Sequence, residues 1–87
     1  MHLLITFETV GAAFDFQMLM DKKQLPAELI QNPRCLGLSC AFSARINFLC
    51  EDIFEFLKIN RVVYSKIYKI RMNHVGEELY EEMLGNR

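Results

Sequence analysis

Residues 38–46 alternate without a break. Leu38, Cys40, Phe42, Ala44 and Ile46 fall on one side, and Ser39, Ala41, Ser43 and Arg45 on the other. Side chains of a strand point to opposite faces in turn, so this period of two predicts a strand with one apolar face. An apolar sheet face needs a second layer, and the rest of the chain has to supply it. The chain has 87 residues, enough for one domain. A domain this small buries only about 60–65% of its unfolded surface, so each large apolar side chain counts. With 52% hydrophobic residues, seven of them Phe and five Met, the chain has the apolar surface that disordered chains lack.

The other elements follow from the same patterning. Leu3, Ile5 and Phe7 predict a strand over 2–8, and Thr9 stands at an N-cap position before a helix over 10–23. Ala13, Phe16 and Met20 form that helix's buried stripe, while Phe14 and Met18 widen its apolar surface. Pro26 ends the helix, and 27–31 predicts a strand paired in a hairpin with 38–46. Glu51 and Asp52 open a second helix, with Ile53, Phe56 and Leu57 inward, ending near Asn60. Residues 62–72 predict an edge strand whose alternation is spoiled by Lys66. Asn73 predicts the cap of a last helix over 75–84, with Val75, Leu79 and Met83 on one side and Glu77, Glu78, Glu81 and Glu82 on the other. The order β-α-β-β-α-β predicts an α+β, ferredoxin-like split βαβ domain over 1–72, with two helices on one face of an antiparallel sheet and a helical tail over 73–87. The uncovered sheet face calls for the last helix or a second copy of the chain.

Several functions are excluded or disfavoured at this level. Ten basic and eleven acidic residues give a net charge of −1, with no overall footprint for nucleic acid. A local basic run, Arg61, Lys66, Lys69 and Arg71 interleaved with Tyr64 and Tyr68, reads as charge along an edge strand rather than a stacking platform. No apolar run approaches the roughly 20 residues that span a bilayer. No signal-peptide pattern opens the chain, and the expected residence is cytoplasmic. The glycines are scattered, so there is no phosphate loop. Cys35, Cys40 and Cys50 contain no CxxC pair and His2 and His74 lie at opposite ends, so neither a metal site nor a resident cofactor is expected. The histidines read as solvated surface residues.

One segment concentrates chemistry. Pro33-Arg34-Cys35-Leu36-Gly37-Leu38-Ser39-Cys40-Ala41-Phe42-Ser43-Ala44-Arg45 holds two thiols and two guanidinium groups. A thiolate is the reactive form of cysteine, and neighbouring positive charge favours it. Cys40 shares its strand side with Leu38 and Phe42, so its patterning fits a core position equally well. Cys50, between Leu49 and Glu51, reads as a core residue.

The segment resembles the small bacterial family of selenium/sulfur (Se/S) carrier-like proteins. The resemblance covers roughly 1–70 and rests on Thr6-Phe7 closing the first strand, Pro33-Arg34, and Cys40 followed by alternating apolar residues up to Arg45. Ala41 replaces the family's glycine after the cysteine, and Gly37-Leu38 stands where the family has a serine pair. The resemblance implies a thiol-based sulfur or selenium carrier, more a carrier than an enzyme, in which Cys40 bears the cargo with Arg34, Arg45 and Cys35 in support, and whose partner is a sulfur- or selenium-handling enzyme. Two other readings stand beside it. One is a dimerising interaction module using Tyr64, Tyr68 and the Phe14/Met18 pair; the other is a Cys35–Cys40 redox switch.

Overall fold

The first apolar run forms β1 (His2–Thr6) in the computed structural model, which describes residues 2–31, 42–47 and 53–83. Thr9, in extended conformation, caps α1 (Val10–Lys22), its hydroxyl accepting from the Ala12 N–H at 3.1 Å. β2 (Glu28–Gln31), β3 (Phe42–Ile46), α2 (Ile53–Ile59), β4 (Ile67–Met72) and β5 (Glu78–Met83) follow.

Both helices stop in the same way. After α1, the Leu25 N–H donates to the Met20 carbonyl at 2.9 Å and the Gln24 N–H to that of Asp21 at 3.1 Å. After α2, Val62 donates to Leu57 at 2.9 Å and Arg61 to Lys58 at 3.1 Å. These are Schellman motifs, which require a left-handed residue that is usually glycine. Here the position is held by Gln24 (φ 57°) and Arg61 (φ 55°). Leu25 and Val62, the next residues in each case, pack against the core and lock the turn in place.

All strand pairings are antiparallel, in the order β2-β3-β1-β4-β5. Leu3 faces Ile46, and Ile5 faces both Ala44 and Ile67. That row of side chains meets Ala13, Phe16 and Met20 of α1 and Ile53 and Leu57 of α2 in one apolar cluster. Phe7 joins it with its ring 5.6 Å from that of Phe16. Thr6 ties the chain before β4 to the sheet: its N–H and hydroxyl both donate to the Lys66 carbonyl, at 2.8 and 3.2 Å, and its hydroxyl accepts from the Lys66 N–H at 3.0 Å. This satisfies a polar group that is 1% exposed.

Three expectations are corrected. The C-terminal helix is a strand: β5 pairs with β4 from Met72↔Glu78 to Ile67↔Met83. Asn73 does accept local N–H groups, as a cap would, from Val75 at 3.0 Å and Glu77 at 2.9 Å. It does so inside a hairpin loop that Gly76 (φ 87°) closes, with the Gly76 N–H bonded to the Asn73 carbonyl at 3.1 Å. The expected four-strand, ferredoxin-like sheet with a trailing helix is therefore a five-strand sheet, the last segment widening it instead of covering its open face. The fourth strand begins at Ile67 and not at Val62, since Val62 is spent on the helix stop. The start of the expected 38–46 strand and of the second helix lie outside the described residues.

Candidate functional site

Of the predicted site residues, Arg34, Cys35 and Cys40, with Cys50, lie outside the described residues. The segment carrying the first three connects Gln31 to Phe42, which are register partners at one end of the β2–β3 pair. Arg45 is described, and its place decides what it does. It pairs in register with Glu28 on one side and Leu4 on the other, on the sheet face opposite Ala44 and Ile46.

On that face the sheet carries a polar strap. The Arg45 guanidinium donates to Oε2 of Glu78 at 2.7 Å, and the Tyr80 hydroxyl donates to Oε1 of the same carboxylate at 2.9 Å. Arg45 is on β3 and Glu78 on β5, with β1 and β4 between them. Neighbouring strands lie about 4.8 Å apart, so β3 and β5 run on the order of 14 Å apart. The arginine and glutamate side chains together span that gap, meeting at 2.7 Å. Leu4 and Ser43 on this face are fully buried, and Tyr68 is 7% exposed.

The strap sets the charge state of its acid. The Tyr80 hydrogen bond, first, and then the hydrogen bond and charge of Arg45, with a smaller effect from His2, hold the Glu78 carboxyl below its ordinary value, against an opposing desolvation. Both charged side chains are 30% exposed, so they are partly withdrawn from solvent without being sealed off.

The remaining candidates fall elsewhere. Lys66 pairs with Glu82 at 3.5 Å and Arg71 with Glu81 at 3.6 Å, so β5 places acid beside two members of the basic run. Tyr68 is buried, a core position rather than a contact residue of an open face, and Tyr64 is half-buried against the core. Phe14 is 49% and Met18 68% exposed, on the outside of α1. His2 is exposed at the start of β1, and His74 is exposed in the β4–β5 loop rather than at a helix start. Among the described residues, no three metal-ligating side chains cluster, and no helix is long and apolar enough to cross a membrane.

Glu78 and Tyr80 were not legible as partners of Arg45. As helix residues they would be two apart and point away from each other; only as strand residues do they share a face. The usable signal was Asn73 followed by Gly76 between two apolar-containing runs, a hairpin pattern.

A family model described as putative Se/S carrier protein-like matches residues 2–69, and the chain belongs to that family. The match takes in Arg34, Cys40 and Arg45 and ends before β5, so the Glu78–Tyr80 half of the strap lies beyond it. No curated protein and no solved structure matches the chain.

Proposed function

We propose that this member of the Se/S carrier-like family carries sulfur or selenium on the Cys40 thiol and delivers it to a sulfur- or selenium-handling enzyme. The observation that carries the reading is the family match over 2–69, which spans the cysteine–arginine segment. Loading is an exchange at a sulfane sulfur. The Cys40 thiolate attacks the outer sulfur of a donor persulfide, the donor's S–S bond breaks, and the donor thiolate leaves with the electron pair. Delivery reverses this: a nucleophile on the acceptor takes the outer sulfur and Cys40 leaves as thiolate. No net oxidant is needed, and a reducing cytoplasm keeps the thiol free between cycles.

Positive charge near Cys40 would favour both the thiolate and the loaded anion. Arg45 is already compensated by Glu78, so Arg34 carries more of this role, with Arg45 and Cys35 secondary. The test is mass spectrometry after treatment with a cysteine desulfurase and cysteine. Wild-type protein gains one sulfur, and Cys40→Ser, which retains Cys35 and Cys50, does not. An equal gain by Cys40→Ser would refute the assignment to Cys40.

A further inference from the structure

Gly11 and Arg61 each occupy a position whose backbone favours a different residue. Gly11 lies in the first turn of α1, where glycine weakens a helix relative to alanine. A Cβ built there meets nothing within 4 Å, so no internal packing calls for glycine. Arg61 is the converse: its φ of 55° is the left-handed conformation in which helices usually end on glycine. The stop itself does not call for arginine, since Gln24 fills the same place after α1.

Both residues line one groove of about 440 Å³, open to solvent between α1 and the chain leaving α2. Gly11, Asp15 and Leu19 follow one another at four-residue spacing and so form a single strip along its helical wall. Val62 and Val63 continue from Arg61 on the other wall, and Val63 is 69% exposed. Asp15 and Arg61 bring opposite charges to the groove, yet they form no ion pair with each other or with any other described residue.

We propose that this groove binds a free α-amino acid with an apolar side chain. An ammonium and a carboxylate on one carbon engage Asp15 and Arg61 together, whereas a ligand of single charge satisfies one and leaves the other unchanged. The guanidinium receives a carboxylate with two parallel N–H groups, which explains an arginine where the turn favours glycine. Gly11 keeps its end of the groove open, which explains a glycine where the helix favours alanine. The ligand's side chain lies over Leu19, Val62 and Val63 and withdraws the exposed valine from water. The volume falls within the range of small-molecule sites, about 300–1,000 Å³, and the open side makes the binding weak and reversible. The proposal uses none of the cysteines and is independent of the carrier reading.

Titration of isotope-labelled protein with L-leucine at neutral pH, followed by amide NMR, tests it. Saturable shifts at Gly11, Ala12, Val62 and Val63 are expected, with a dissociation constant of about 1 mM or below. Isoamylamine, which lacks the carboxylate, and isocaproate, which lacks the ammonium, bind about tenfold more weakly or worse. Asp15→Asn and Arg61→Gln each raise the constant for leucine by about tenfold. Both side chains are exposed, so the far-UV circular dichroism of the two variants stays native. No saturable shift up to about 20 mM leucine, equal binding of the two analogues, or variants that bind leucine as the wild type does would each overturn the proposal.

Discussion

On one side of the sheet, Leu3, Ile5, Ala44, Ile46 and Ile67 meet two amphipathic helices, and the layer is apolar throughout. On the other side, Leu4 and Tyr68 are also buried, but the contacts described on that face join an arginine, a glutamate and a tyrosine hydroxyl. Burial alone therefore does not separate the two faces; the type of covering does. The helix side gains from transfer of apolar area out of water, about 25 cal/mol per Å². The strap side gains from a partly desolvated, hydrogen-bonded charge pair, whose net worth is smaller and depends on protonation.

The largest test sets one face against the other. Phe16→Ala opens the helix-side core and lowers unfolding free energy by about 3–5 kcal/mol in urea. Leu4→Ala, on the strap side, lowers it by about 2–4 kcal/mol if that face is packed as its burial indicates. A loss below about 1 kcal/mol at Leu4 would mean that the second face is merely covered and not tightly packed.

A smaller effect isolates the strap itself. Glu78→Gln keeps the shape, removes the charge and costs about 1 kcal/mol at neutral pH. The wild-type advantage depends on acid. Glu78 has a folded pKa below its ordinary 4.5, so its contribution is complete above the unfolded value and disappears as pH falls through the folded one. Melting temperatures of the two proteins, measured from pH 7 downward, run parallel until near 4.5 and converge below it. A gap that persists unchanged into acid would remove the charge pair as its cause.

The smallest test concerns what both faces share, the helix stops that return the chain to the sheet. Gln24→Gly and Arg61→Gly each relieve a left-handed residue and raise stability by about 0.5 kcal/mol, after the entropy that glycine adds to the unfolded chain. The two should add, because the stops belong to different helices. A loss at Arg61 alone would show that its side chain contributes something its backbone position does not.

Much of this architecture was written in local pattern. Thr9 marked the start of α1, Ala13, Phe16 and Met20 its inner stripe, and the alternation of Phe42, Ala44 and Ile46 the inward face of β3. Each depends on side chains a few residues apart, the range over which helix and strand periods differ. Residues 73–83 defeated the same reasoning. Asn73 offers its side-chain oxygen to nearby N–H groups whether a helix or a hairpin follows. Val75, Leu79 and Met83 fit a helical spacing as well as a broken strand alternation. The edge of β4 broke the tie, by offering unpaired backbone groups for β5 to complete.

The candidate site divides along the same line. The thiol-bearing segment and its arginines were evident from composition within a short stretch, because reactive residue types are visible one by one. That Arg45 spends its charge on Glu78, thirty-three positions away, was not, because no local period relates β3 to β5. The sequence by itself determined the type and order of the first six elements, the inward face of the core and the family to which the chain belongs. Only the tertiary structure decided that the C-terminal segment is a strand and that it clamps the arginine, because both depend on the free edge of β4 and on a reach across two intervening strands.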